Sequence, residues 1–247
     1  MNRQRITILT KTQLRKVIRN PAYLFLLILF PTVLTLIFGL VFNDPESGMN
    51  FNLMVPGLFA YACIFMIMTI AQSFSDERQE GLLKRMNTTP MSSSDFMLSQ
   101  IISNMFIAII QMVLVFIVSV LFGFRPLGGI LGVLMAFIMM AIFSLSSIGL
   151  GLITATISKT PEIATGVSFI FILPQMFFGT FLPLYGPVQT VGKFFPAYYL
   201  TDALSSIFEG SSLMSANILL DFAIITIFGI AIVFIGILLF NKYGNAL

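Results

Sequence analysis

Charge is rationed along this chain in a way that leaves few folds open. Its 13 basic and 10 acidic residues cluster, and between the clusters lie six charge-free stretches: 20–43, 47–75, 96–124, 126–158, 163–192 and 222–241. Each is 20 residues or longer. A helix rising about 1.5 Å per residue needs about 20 apolar residues to cross a hydrocarbon core of about 30 Å, so each stretch can hold one crossing. The expected fold is all-α and polytopic: six transmembrane helices at about 21–42, 53–74, 97–122, 128–157, 163–182 and 219–240, in one transmembrane domain over residues 1–247. Only 9% of the residues are charged, against about 25% in soluble domains, which argues against a water-soluble globule.

The first stretch does not read as a signal peptide. It follows 19 polar and basic residues, is longer than an h-region and has no small-residue cleavage site before Asp44 and Glu46. Eleven basic residues fall on one side of the spans (Arg3, Arg5, Lys11, Arg15, Lys16, Arg19, Arg78, Lys84, Arg85, Lys159 and Lys242) and two, Arg125 and Lys193, on the other. The positive-inside rule then puts both termini in the cytoplasm.

Inside the spans, Pro31 and Pro174 each lack a backbone donor and are expected to bend their helices, although prolines are also simply tolerated in membrane helices. The fourth span carries Gly128, Gly132 and Ala136 at spacing four, then Ser147, Gly151 and Ala155. Small residues on one stripe let two helices approach closely, in the same chain or in another.

Two cytoplasmic segments stand out. Residues 3–19, wound as a helix, set Ile6, Leu9, Leu14, Val17 and Ile18 against Arg5, Lys11, Arg15, Lys16 and Arg19, the pattern of an interfacial amphipathic helix that anchors to acidic lipid and ends before Pro21. The loop 75–95 is expected to begin a short separate helix at a Ser75 cap. Asp76, Glu77 and Glu80 occupy its first turns and Lys84 and Arg85 its last, with Thr88-Thr89-Pro90 as a stop and Ser92 to Asp95 as the capping box of the third span. On the other side, residues 183–217 are too aromatic to lie free in water. They read as short helices near 187–194 and 197–209 in the interface, placed to cap an exit path.

The inventory also removes chemistry. There is no histidine, so no Ser-His or Cys-His nucleophile and no His-ligated metal, and the single thiol, Cys63, reads as a small buried hydrophobe. No catalytic and no metal-binding residue is assigned. Ionisable groups sit at or beyond the span ends, which argues against a proton relay. The nearest approach to a P-loop, Gly186 to Phe194, has one residue too many between its glycines and no hydroxyl for Mg²⁺. If ATP drives transport, the ATPase must be another subunit.

The layout resembles the permease subunit of type-2 ABC exporters. The resemblance rests on the basic N-terminal helix, six spans, Phe195-Pro196 before the last span, and Glu77-Arg-Gln-Glu80-Gly81 followed by Thr89-Pro90-Met-Ser92, with Gln79 where that family's pattern has an acid. It implies an exporter in a bacterial or archaeal plasma membrane with two permeases, identical copies or homologous partners, and two ATP-binding cassette ATPase subunits. The permease needs no cofactor of its own, because ATP and Mg²⁺ belong to the ATPase. Membrane lipids are further partners and nucleic acid is not. By the resemblance, Asp76, Glu77, Arg78, Glu80, Gly81, Lys84 and Arg85 form the ATPase-coupling helix. Thr69, Gln72, Gln175 and Phe178 are candidate path-lining groups, against a competing reading as ordinary interhelical packing.

Three functions remain: export of a drug-like, antibiotic or lipid-like amphipath; export of a polysaccharide or lipid-linked glycan; and an ATP-independent channel or scaffold. The absence of tryptophan and the scarcity of tyrosine in the spans lower the second, and the lack of a charged selectivity ring lowers the third.

Overall fold

The computed structural model describes residues 3–42, 51–79, 81, 93–181 and 186–243, and among them all regular structure is helical. Five helices are long and apolar enough to cross a membrane: α4 (Phe51–Gln79), α5 (Ser93–Leu121), α6 (Gly129–Ile157), α7 (Pro161–Met176, extended by a π turn) and α10 (Ala216–Tyr243). The first apolar stretch is composite. A short α2 (Pro21–Leu24) runs through a π turn (Phe25–Leu29) into α3 (Phe30–Phe42). Before α2 lies α1 (Arg3–Arg19), and between α7 and α10 come α8 (Pro187–Gly192) and α9 (Pro196–Phe208).

The two prolines expected to bend their spans each sit beside a π turn. Next to Pro31, the Phe30 N–H donates to Phe25 O, and the hydroxyls of Thr32 and Thr35 donate to Ile28 O at 2.7 Å and Pro31 O at 2.9 Å. Such hydroxyl bonds supply partners for carbonyls in a helix whose regular ladder is interrupted. Pro174 precedes the second π turn, Phe177–Phe181. There the Gly179 carbonyl turns outward to accept from Thr201 Oγ1 at 2.5 Å, tying α7 to α9.

At the centre stands α4, with 89% of its most apolar window buried against 17% for α10. Neighbours α3, α5, α6, α7 and α9 enclose it. Being apolar enough to cross does not by itself put the less apolar α4 inside and the more apolar α10 outside. Side-chain size does. Ala60, Ala62, Cys63, Thr69 and Ala71 let neighbours close on α4, and all are buried.

The glycine stripe of α6 finds its partners in the same chain. Gly128 and Gly132 pack on Ile207 of α9, and a β-carbon on Gly151 would lie 2.9 Å from Ile67 O of α4. A second set escaped sequence reading: a β-carbon on Gly149 would lie 2.8 Å from the Ile232 side chain of α10, and on Gly236 of α10 it would lie 3.2 Å from Gly149 O. α6 is therefore wedged between α4 and α10 on two different small faces.

Crossing the end of the bundle opposite α1, α9 packs on α4, α6 and α10. Its face of Ala197, Leu200, Ala203, Leu204 and Ile207 is buried, which accounts for the aromatic and aliphatic content of this connection. A β-carbon on Gly179 would fall 2.5 Å from Ala197 Cβ and 3.0 Å from the backbone of Tyr198. Backbone cannot yield there, so Gly179→Ala is expected to cost about 1–3 kcal/mol. A thermal melt of the detergent-solubilised chain checks this, and an unchanged midpoint would mean that the π turn and α9 are not in contact.

Candidate functional site

At the α1 end, the separate coupling helix expected to start at Ser75 does not form over the described residues. α4 continues unbroken to Gln79, so Ser75 lies within a helix and caps nothing. The charges that begin at Asp76 mark where apolar composition stops, but a helix leaving the hydrocarbon need not stop with it. Gly81 follows with φ +72°, a left-handed conformation suited to glycine just beyond a helix end. Glu80, Lys84, Arg85, Thr88 to Pro90 and Ser92 lie outside the described residues.

Glu77, expected on a short separate cytoplasmic helix, is only 1% exposed. Its Oε2 accepts a 2.5 Å hydrogen bond from Gln100 Nε2 of α5, and its Oε1 lies 3.8 Å from Lys16 Nζ of α1. One carboxylate thus joins three helices. Beside it, the half-buried Arg78 donates from Nη1 to Ala155 O at 3.3 Å and Thr156 O at 3.2 Å. A guanidinium on the last carbonyls of α6 suits the negative end of that helix. Asp76 is half-buried on the same turn. Sequence spacing showed these charges as a dipole-matched set; their partners on α1, α5 and α6 are long-range and had no local signal.

The basic helix α1 docks on α5 with Ile6, Thr10 and Gln13 buried, while Ile8 and Ile18 are 65% and 70% exposed. The expected single apolar face, with Ile18 on it, is therefore split between protein and surroundings. An interfacial helix meets two apolar media, and polarity does not tell them apart. A cleft of about 470 Å³ opens beside Thr12, Arg15, Lys16, Arg19 and Asn20.

Of the four candidate path-lining residues, Thr69 and Gln175 are buried and Gln72 and Phe178 half-buried. Thr69 is fully buried and donates to Met66 O at 3.0 Å. Gln72 donates from Nε2 to Thr165 Oγ1 at 2.6 Å, and Thr165 donates on to Pro161 O at 2.8 Å, linking α4 to α7. Gln175 is 4% exposed and donates to Phe171 O at 3.3 Å. The Phe178 ring stacks on Phe195, centroids 5.7 Å apart. Two similar ties had not been singled out: Gln111 Nε2 donates to Ala62 O at 2.8 Å, and Cys63, buried as expected, lies 3.9 Å from Met140 O.

Ionisable groups near span ends prove not to be equally wet. Asp221, in the second turn of α10, is 4% exposed beneath α9 and interacts electrostatically with Asp202 and Tyr199. Burial raises the Asp202 carboxyl above its ordinary pKa, with Lys193 opposing, and burial together with Asp221 and Tyr198 raises the Tyr199 phenol. Tyr199 donates to Lys193 O at 2.9 Å, and Gln189 Nε2 donates to the Tyr198 hydroxyl at 3.0 Å, which fixes α8 against α9.

Known proteins resemble this chain in sequence. A daunorubicin resistance ABC transporter permease protein of Streptomyces coeruleorubidus is 24% identical over 162 residues, which are 64% of this chain and 56% of that protein. The chain thus spans little more than half of that relative's length. The sequence profile of the ABC-2 type transporter matches residues 4–210, from the start of α1 past the end of α9. With most of its length under that profile and its helices built to cross a membrane, the chain belongs to the ABC-2 type transporter family.

Proposed function

We propose that this chain is the permease subunit of an ATP-driven exporter for drug-like, antibiotic or lipid-like amphipaths. A separate ATP-binding cassette subunit binds ATP and Mg²⁺ and meets the permease at the α1 end. That end faces the cytoplasm of a bacterial or archaeal cell, in keeping with the concentration of basic residues there. A second permease, identical or homologous, completes the path. The relative whose name includes daunorubicin resistance supports a drug-like cargo.

One observation carries the coupling. α4 is the most enclosed helix, and its last turn is pinned to α1, α5 and α6 through Glu77 and Arg78 immediately before residues 80–92. The end of α4 is held by three neighbouring helices, so a force applied at Gln79 reaches the centre of the bundle. Interfaces and packed cores respond to such loads by switching between discrete arrangements.

The test is a K84E/R85E double variant of the full chain, co-expressed with the Walker-motif ATPase of the neighbouring gene. Co-purification is expected to weaken at least about tenfold and substrate-stimulated ATP hydrolysis to fall with it. A complex of wild-type strength with wild-type stimulation would overturn the coupling role.

A further inference from the structure

At the end of the bundle opposite α1, a cleft of about 340 Å³ opens between the start of α4, the connection from α5 to α6 and the end of α9. Its walls are fixed. Phe124 and Phe208 meet edge to face with centroids 5.1 Å apart, and Leu127 N donates to Phe208 O at 2.8 Å. The volume is in the range of small-ligand sites, and aromatic walls with a few polar groups are their usual lining.

Two opposite charges edge this cleft, Arg125 from the α5–α6 connection and Glu209 from the end of α9. Neither makes a salt bridge to a described residue. Opposite charges on one small cleft that do not pair with each other match a ligand carrying both signs. Arg125 offers a planar fork of donors suited to a phosphate, and the Glu209 carboxylate accepts hydrogen bonds from a primary ammonium.

The surroundings say how such a ligand is held. Leu127 lines the cleft and is 75% exposed, and from it a stripe of Leu131, Leu134 and Ile138, exposed by 71%, 55% and 51%, runs at helical spacing along α6 toward the membrane interior. The cleft lies at span ends, at headgroup depth, with an apolar track leading from it. A soluble zwitterion has no use for that track, whereas an acyl chain does.

We propose that this cleft binds a phospholipid with a primary-ammonium headgroup, its phosphate on Arg125, its ammonium on Glu209 and an acyl chain along the α6 stripe. The inference rests on the membrane-spanning fold and not on the export reading.

Native mass spectrometry of the full-length chain in detergent tests it, with phosphatidylethanolamine, phosphatidylglycerol and soluble phosphoethanolamine as probes. Wild type is expected to prefer phosphatidylethanolamine over phosphatidylglycerol by at least about tenfold, the scale of one charge-assisted hydrogen bond. Glu209→Gln should abolish the preference, and Arg125→Gln should weaken both lipids. Both side chains are exposed, so neither change threatens the fold, and an unchanged thermal melt verifies that. Phosphoethanolamine should displace the lipid only at concentrations at least about a hundredfold higher, because it buries no hydrocarbon. Equal binding of the two lipids by wild type, or full retention of phosphatidylethanolamine by both variants, would overturn the site. Competition by phosphoethanolamine at the lipid's own concentration would overturn the lipid as its occupant.

Discussion

Replacing Gly149 by valine is expected to lower the stability of the detergent-solubilised chain by about 3 kcal/mol or more, read as a fall of several degrees in its thermal midpoint. A β-carbon at this position would lie 2.8 Å from Ile232 Cγ2 and 2.9 Å from Val233 N. The side chain can turn aside, but the backbone cannot, so α10 must move away from α6 along its length. Van der Waals packing is the main glue between helices in lipid, and a displaced interface has no hydrophobic force to restore it. Gly166→Ala is the control, because nothing lies within 4 Å of its β-carbon and alanine suits a helix better by up to about 1 kcal/mol. If both variants melted together, the close approach of α6 and α10 would be wrong.

Glu77→Ala is expected to cost about 2–4 kcal/mol and to loosen the joint between α4 and α5. The carboxylate is 1% exposed, and its removal strands the buried Gln100 amide and takes one partner from Lys16. Glu77→Gln should cost about 1 kcal/mol, since an amide oxygen still accepts from Gln100 while the attraction to Lys16 is lost. Lys16→Met should cost less than about 1 kcal/mol, because the Lys16 side chain is 40% exposed and water screens its charge. Thermal melts rank the three variants. Equal melting of Glu77→Ala and Lys16→Met would remove Glu77 from the joint.

The spans were legible because hydrocarbon excludes charge, so the spacing of 23 charged residues maps helices directly. The short helices of the aromatic connection were legible too, since Pro187 and Pro196 each open one. What stayed hidden depends on neighbours. Ser75 followed by acids is a fair local start signal, yet the helix already running through it costs nothing to extend. Gly149 and Gly236 lie outside the spacing-four stripe on α6, and only the partner helix shows why they are glycine. Thr69 and Gln175 are polar groups inside apolar spans, and their bonds to Met66 O and Phe171 O of their own helices satisfy them locally, a pairing that spacing does not announce.

The adjacent pair Glu77 and Arg78 also constrains how the protein is made. Synthesis runs from N to C terminus, so when α4 leaves the ribosome Lys16 is already made, but the hydrogen-bond partners of Glu77 on α5 and of Arg78 on α6 are not. Gln100 arrives only with α5, and the carbonyls of Ala155 and Thr156 only at the close of α6. The hydrogen bonds that hold Glu77 and Arg78 can therefore be completed only once the end of α6 has been made, so the joint at the end of the central helix waits on carbonyls 77 and 78 residues further along the chain.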